Sequence, residues 1–222
     1  LQALNYEWGG PISGTQNQQT GLTMVLGDGD NTLGLLLVEN VEFSDDFTSV
    51  TMKLRKGLKW SDGHPLTADD ILFMWDDLYQ NKELRPSPPG TWVIGGEFVQ
   101  VAKLDTETVR FRAAAPLPAW ETLLLTGATQ QGGFFMPKHY LQKWHADYNE
   151  DAEKVAKEEG FDSWTQAFGF HMWGWRDLNP DWPMTIPWVI KESTATAQLF
   201  ERNPYFWQVD TAGNQLPYID RV

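Results

Sequence analysis

Between residues 49 and 81 the hydrophobic period changes from two to 3.6, and that change constrains the fold more than any other feature of the chain. In "SVTMKLR" (49–55) Val50, Met52 and Leu54 alternate with Thr51, Lys53 and Arg55, the pattern of a half-buried strand. From Thr67 onward Ile71, Met74, Trp75 and Leu78 fall at i, i+3, i+4 and i+7. That spacing is the stripe of an amphipathic helix, predicted to run to about Asn81. A strand feeding a helix of that length requires mixed α/β architecture, with the apolar face of each element buried against the other.

The rest of the chain repeats the alternation of types. "GLLLVENVEFS" is a short apolar run ending in the turn signal Ser44-Asp45-Asp46, so residues 34–43 and 49–55 are predicted as strands joined by a tight turn. The first 34 residues are rich in Gly, Thr, Gln and Asn and read as loop, with one strand near Leu22–Leu26. "RPSPPG" (85–90) excludes regular structure, and "FVQVAKLD" with "TVRFRA" predicts a hairpin around Asp105–Glu107. "PAWETLLLTGA" and "PKHYLQKW" read as short helices, the second with Pro137 in its first turn. "NEDAEKVAKEEG" is a charged surface helix stopped by Gly160, and "PWVIKE" and "AQLFERN" are strands. No internal repeat or low-complexity tract interrupts this order.

Composition excludes several function classes. With 222 residues and 41% hydrophobic content the chain can bury a core, yet no apolar run approaches the roughly 18 residues of a membrane span. A net charge of −13 makes nucleic acid and anionic membrane poor partners, because both are gripped by clustered Lys and Arg. There is no Cys, hence no disulfide framework, thiol nucleophile or thiolate metal site. No GxSxG, P-loop or GxGxxG stretch is present, and no cofactor is expected.

Two stretches carry residues that advertise chemistry. "KGLKWSDGHPLTADD" (56–70) sets His64 among Ser61, Asp62, Asp69 and Asp70. Asp62-Gly63 is a turn dipeptide, and Pro65 holds His64 extended. Thr67 sits at the N-cap, Asp70 completes a capping box, and Asp69 and Asp70 both favour the positive end of the helix dipole. The expectation is a scaffold turn followed by a helix start, with His64 an exposed turn residue and no catalytic residue. "DGDNTLGLLLVE" (28–39) places Asp28, Asp30 and Glu39 at positions 1, 3 and 12 of a calcium loop. Leu33 stands where that loop needs Gly, and no helix pattern flanks it. The four His (64, 139, 145, 171) show no metal-ligand spacing, so no metal site is expected. Of the 12 Trp, residues 164, 173, 175, 182 and 188 cluster together with Phe168, Phe170 and His171. Indole is a flat surface for core packing or for stacking on a ligand, and both readings stay open. Trp92, placed by the rigid "PSPPGTW", is a separate candidate of the same kind.

"VEFSDDFTSVTMKLRKGLKWSDGHPLTADDILFMWDDL" resembles the signature of the family 5 extracellular solute-binding proteins of ABC importers, the peptide/nickel-type receptors. "ERNPYFWQVDTAGNQLPYIDRV" resembles the strand and loop that precede the crossover to their second lobe. "VAKLDTETVRFRA", "MPKHYLQKWHADYN" and "EEGFDSWTQAF" are similar to family segments in the same order. The resemblance implies an α/β fold of periplasmic-binding-protein-like type II, with a mixed sheet, flanking helices and only the first lobe. Residues 35–222 would form most of lobe one, ending at the crossover to lobe two, with 1–34 a poorly matched N-terminal segment. It implies a periplasmic or extracellular receptor, free or anchored through a lipoprotein segment, that delivers peptides or similar oligomeric solutes to an ABC permease without covalent chemistry. An oligosaccharide-binding receptor of the same family is the alternative, and a secreted carbohydrate-active hydrolase the alternative from another class. A monomer is expected, partnered by the permease subunits and not by nucleic acid. Ligand contact is expected from Trp92, which matches by position an aromatic from lobe one, and from Trp173, Trp175 and Trp182. With half the pocket on the second lobe, these 222 residues alone are expected to lack high-affinity binding. Calorimetry with peptides and oligosaccharides checks this, and a nanomolar dissociation constant would overturn it.

Overall fold

Strand β4 (Ser49–Leu54) is the predicted period-two stretch, and it lies inside a four-stranded antiparallel sheet. A computed structural model describes residues 23–26, 32–35, 37–124, 134–172, 179–194 and 197–222 of the chain. They divide into two compact units, one drawn from residues 20–58 and 66–136, the other from 59–65 and 137–222.

In the first unit β1 (Thr23–Leu26) pairs with β2 (Thr32–Leu35). Gly34 and Leu35 therefore belong to β2, not to the predicted 34–43 strand, and β3 (Val38–Phe43) begins after them. After β4 come the two-residue strands β5 (Val93–Ile94) and β6 (Glu97–Phe98), then the predicted hairpin β7 (Gln100–Lys103) and β8 (Thr108–Arg112). The sheet order is β3-β4-β8-β7, with Val50 opposite Phe111 and Met52 opposite Val109. Those four side chains are buried on one face, as the alternation requires. The other face is polar: Lys53 Nζ lies 2.6 Å from Glu39, and Arg110 Nε donates to Thr51 Oγ1. Glu39, the last acid of the calcium-like pattern, is thus a surface ion-pair partner, while Asp28 and Asp30 lie outside the described residues.

The helix start is built as its sequence predicts. Thr67 caps α1 (Ala68–Leu72): its hydroxyl accepts from Asp69 N, and the Asp70 carboxylate accepts from Thr67 N at 2.9 Å. Asp69 lies beside Lys103 Nζ at 2.7 Å. The continuation departs from expectation, because Phe73–Tyr79 winds in wider π turns. Phe73 and Tyr79 are thereby buried along with Met74, Trp75 and Leu78, a broader face than the predicted stripe. Trp75 sits at its centre. Its ring meets Trp92 edge-on at 4.9 Å and Phe111 at 5.0 Å, lies parallel to Phe134 at 6.2 Å, and its Nε1 donates to Val99 O at 2.9 Å. Residues 120–124 of the predicted 118–128 helix are helical, and the remainder lies outside the described residues.

In the second unit Pro137 precedes α2 (Lys138–Leu141), which tightens into a 3₁₀ turn over Gln142–Trp144. The charged helix is α3 (Ala152–Glu158), ended by Gly160 at φ +90°. The periodicity reading missed α4 (Trp164–Met172). Its signal is a near-capping box: Ser163 Oγ accepts from Gln166 N, and Gln166 Oε1 accepts from Asp162 N. Strand β9 (Trp188–Ser193) pairs with β10 (Gln198–Arg202), and Trp188, Ile190 and Phe200 pack together on it. The terminal residues return along β10, where Phe200 N donates to Val222 O and Trp188 Nε1 donates to Ile219 O.

The contrast between the Trp75 core and the Thr67 cap can be measured. Trp75→Ala is expected to cost about 3–5 kcal/mol as a large-to-small core change, and Thr67→Ala about 1 kcal/mol as a lost cap. Denaturant unfolding of both variants checks that ranking.

Candidate functional site

The predicted ligand-contact tryptophans fall in different surroundings. Trp92 is fully buried, ringed by Trp75 at 4.9 Å, Phe134 at 5.5 Å and Phe111 at 6.4 Å. Its Nε1 is buried without a hydrogen-bond partner among the described residues. This departs from the expectation of a stacking surface at Trp92: in this structure the indole is buried among neighbouring rings and packs in the core of its unit. The rigid "PSPPG" segment turns the ring inward, ending in a 3₁₀ turn over Gly90–Trp92. Trp173 and Trp175 lie outside the described residues.

Trp182 is 5% exposed and belongs to a row of rings in the second unit. It meets Tyr140 edge-on at 5.3 Å, Tyr140 lies 5.1 Å from Trp144, and Trp144 stacks on His171 at 3.6 Å. Asn179 orders one end: its Nδ2 donates to the Tyr140 hydroxyl, and its Oδ1 accepts from Asp181 N. Glu159 orders the other, accepting from Trp144 Nε1 at 2.8 Å and Lys143 Nζ at 3.1 Å and sharing a 2.7 Å hydrogen bond with His171 Nε2. Burial works to raise the Glu159 carboxyl, but the bonds from His171, Trp144 and Lys143 outweigh it and hold it below its ordinary range.

The stretch 59–65 forms a tight hairpin within the same unit. Lys59 bridges Pro65, Trp60 N donates to His64 O, and Gly63 N donates to Trp60 O. Gly63 has φ +89°, and a Cβ there would stand 3.0 Å from the Tyr205 hydroxyl, so the position requires glycine. Ser61 fastens the turn to residue 184 twice, by Ser61 N to Met184 O and by Met184 N to Ser61 Oγ. Asp62 Oδ1 accepts from His64 N, the turn expected from Asp-Gly. Asp62 Oδ2 shares a 2.7 Å hydrogen bond with His139 Nε2 and stands 3.5 Å from His64 Nδ1. The two imidazoles stack at 4.1 Å. His64 is exposed as expected, but its convergence with His139 is not visible to local spacing, because His139 lies 77 residues from Asp62. Asp69 and Asp70 turn to the helix start instead. Burial works to raise the Asp62 carboxyl, while the His64 N–H and the His139 hydrogen bond win and lower it. His139 is itself lowered, chiefly by burial.

Comparison with known proteins defines the class. The sequence profile described as "Bacterial extracellular solute-binding proteins, family 5 Middle" matches residues 32–222. The chain belongs to that family, with the fold of type II periplasmic binding proteins. It is similar to the periplasmic alpha-galactoside-binding protein of Rhizobium meliloti (strain 1021), at 29% identity over 84% of this chain and 24% of that protein. It is also similar to the periplasmic oligopeptide-binding protein OppA of Salmonella typhimurium, at 25% identity over 78% of this chain and 29% of that one. Among solved structures, an oligopeptide-binding protein OppA aligns with TM-score 0.76 and 34% identity over 93% of this chain and 32% of its own. The periplasmic binding protein MelB from Agrobacterium fabrum C58, in complex with stachyose, aligns with TM-score 0.66 and 26% identity over 91% of this chain and 29% of its own. The chain thus spans about a quarter to a third of the length of these relatives. They are binding proteins rather than enzymes, and no helix among the described residues is long and apolar enough to cross a membrane.

The Glu159 cluster yields a pH test. A carboxyl lowered in the folded state stabilises fully above its unfolded pKa of about 4.3, and that contribution is lost as pH falls through the folded value. Glu159→Gln is therefore expected to flatten the decline of unfolding temperature below about pH 4.5. Thermal unfolding of wild type and variant across that range checks it, with parallel curves the contrary result.

Proposed function

We propose that this chain is part of an extracytoplasmic receptor that captures oligopeptides and hands them to an ABC permease. The alignment with the oligopeptide-binding OppA structure at 34% identity over 93% of the chain carries the reading. In such a receptor two lobes close on the solute, and the ligand shifts the open–closed balance by its differential affinity for the closed form. Residues 35–222 supply most of one lobe, with the second lobe and the return to the first formed by further chain. The motif "KWSDGHPLTADD" then serves as scaffold. Its Thr67 and Asp70 cap a helix, and its Ser61 and Asp62 shape a hairpin. Solute contact falls to Trp173 and Trp175, with Trp182 a further candidate a few residues along the chain. No bond-making step is assigned to the receptor, which works as a monomer in the periplasm or, anchored by a lipid, at the outer face of the cytoplasmic membrane.

A second reading, capture of oligosaccharides, is favoured by the alpha-galactoside-binding relative and by MelB with stachyose. Indoles at 173 and 175 suit a sugar ring face as well as an apolar peptide side chain. A thermal-shift series on the full-length protein separates the two. At a hundredfold excess over the dissociation constant a ligand stabilises by about 2.7 kcal/mol. Tri- to pentapeptides are expected to raise the unfolding temperature. A rise with stachyose alone replaces peptides by sugars, and no rise with either class removes both readings.

A further inference from the structure

We propose that Asp62, His64 and His139 form a binding site for a divalent transition metal of the zinc class. The three side chains each offer a ligand atom, and these atoms all lie within 4.8 Å of one another. Asp62 Oδ2 is the shared corner, 2.7 Å from His139 Nε2 and 3.5 Å from His64 Nδ1. Two ligand atoms on a tetrahedral ion with bonds of about 2.0–2.1 Å stand roughly 3.3 Å apart. The Asp62–His64 pair already has that separation, and the Asp62–His139 pair reaches it by opening one hydrogen bond. The stacked imidazoles, at 4.1 Å and 11°, must splay to aim both nitrogens at one ion. His64 is free to turn, its side chain being 59% exposed.

The donor set selects the metal. Two imidazoles and one carboxylate suit zinc, copper or nickel, whereas calcium and magnesium take oxygen ligands. Three protein ligands leave a position for water, the coordination of an open site. The backbone that carries Asp62 and His64 is also held before any metal arrives. The hairpin carrying Asp62 and His64 is tied to residue 184 by the two Ser61 bonds, and the other Asp62 oxygen is occupied by His64 N. His139 stands in the first turn of α2, 6.1 Å from the Trp60 ring. The bound ion would join the 59–65 hairpin to α2 across a long stretch of sequence.

The test is calorimetric titration of metal-free full-length protein with zinc chloride, repeated with cobalt(II) and read by visible absorption. One zinc per chain is expected, with the intense visible bands of four-coordinate cobalt. His64→Ala, His139→Ala and Asp62→Asn are each expected to weaken zinc binding by at least about tenfold. His171→Ala, in the cluster around Glu159, is expected to leave it unchanged. Circular dichroism of the exposed His64→Ala variant shows that any loss is not unfolding. Absence of saturable zinc uptake at millimolar metal overturns the site. So does binding that survives both His64→Ala and His139→Ala, which would assign the metal to the chain's acidic surface.

Discussion

The buried hydrogen bond from Trp75 Nε1 to Val99 O is the contact on which the first unit depends. An indole N–H left unpaired in a core costs roughly 1–3 kcal/mol, so the ring position is set by that carbonyl as much as by packing. Once the ring is placed there, Trp92, Phe111 and Phe134 are arranged around it, so a helix residue, a loop residue and a sheet residue share one cluster. The π turns of Phe73–Tyr79 follow from the same demand. They bring Phe73 and Tyr79 to the buried face together with Met74 and Trp75, which a regular helix would spread around its circumference. Burial also drives the Tyr79 hydroxyl well above its ordinary range.

The second unit repeats a turn device that the first unit uses at Asp46, Asn81 and Asp105. Short polar side chains there accept backbone N–H groups two residues on: Asp62 from His64, Asn149 from Asp151, Asn179 from Asp181, Asn203 from Tyr205 and Asp210 from Ala212. The buried Asn203 adds a bond from its Nδ2 to Ile186 O, securing the chain as it leaves β10. Asp210 also takes the Tyr218 hydroxyl at 2.6 Å, and that bond does most to hold its carboxyl far below the usual range. Asp62 and Asp210 in this set are acids, so a part of the acidic content is turn chemistry.

What the sequence disclosed and what it withheld divide along the same physical line. Strand β4, the 100–112 hairpin and the Thr67 cap were legible because period and capping act over a few residues. The π turns were not, since the pattern 71, 74, 75, 78 fits an α-helix and only tertiary packing widens it. Helix α4 was obscured by its aromatic density, although Trp164, Ala167, Phe168 and Met172 lie on one buried face behind a Ser163 cap. For Trp92 the rigid Pro-rich segment was visible, but its direction was not. For His64 the neighbours in sequence were visible, but the partner that matters was not.

That last case bears on how scaffold and site can share residues. Asp62 shapes the hairpin with one oxygen and meets two imidazoles with the other, so a residue needed for folding is also half of a chemical constellation. Family members that keep the Asp-Gly turn for its geometry would carry the carboxylate whether or not histidines face it. The proposed metal-binding character would then come from the residues at 64 and 139. His64 is exposed, whereas His139 is half-buried, stacked on His64 and 6.1 Å from the Trp60 ring.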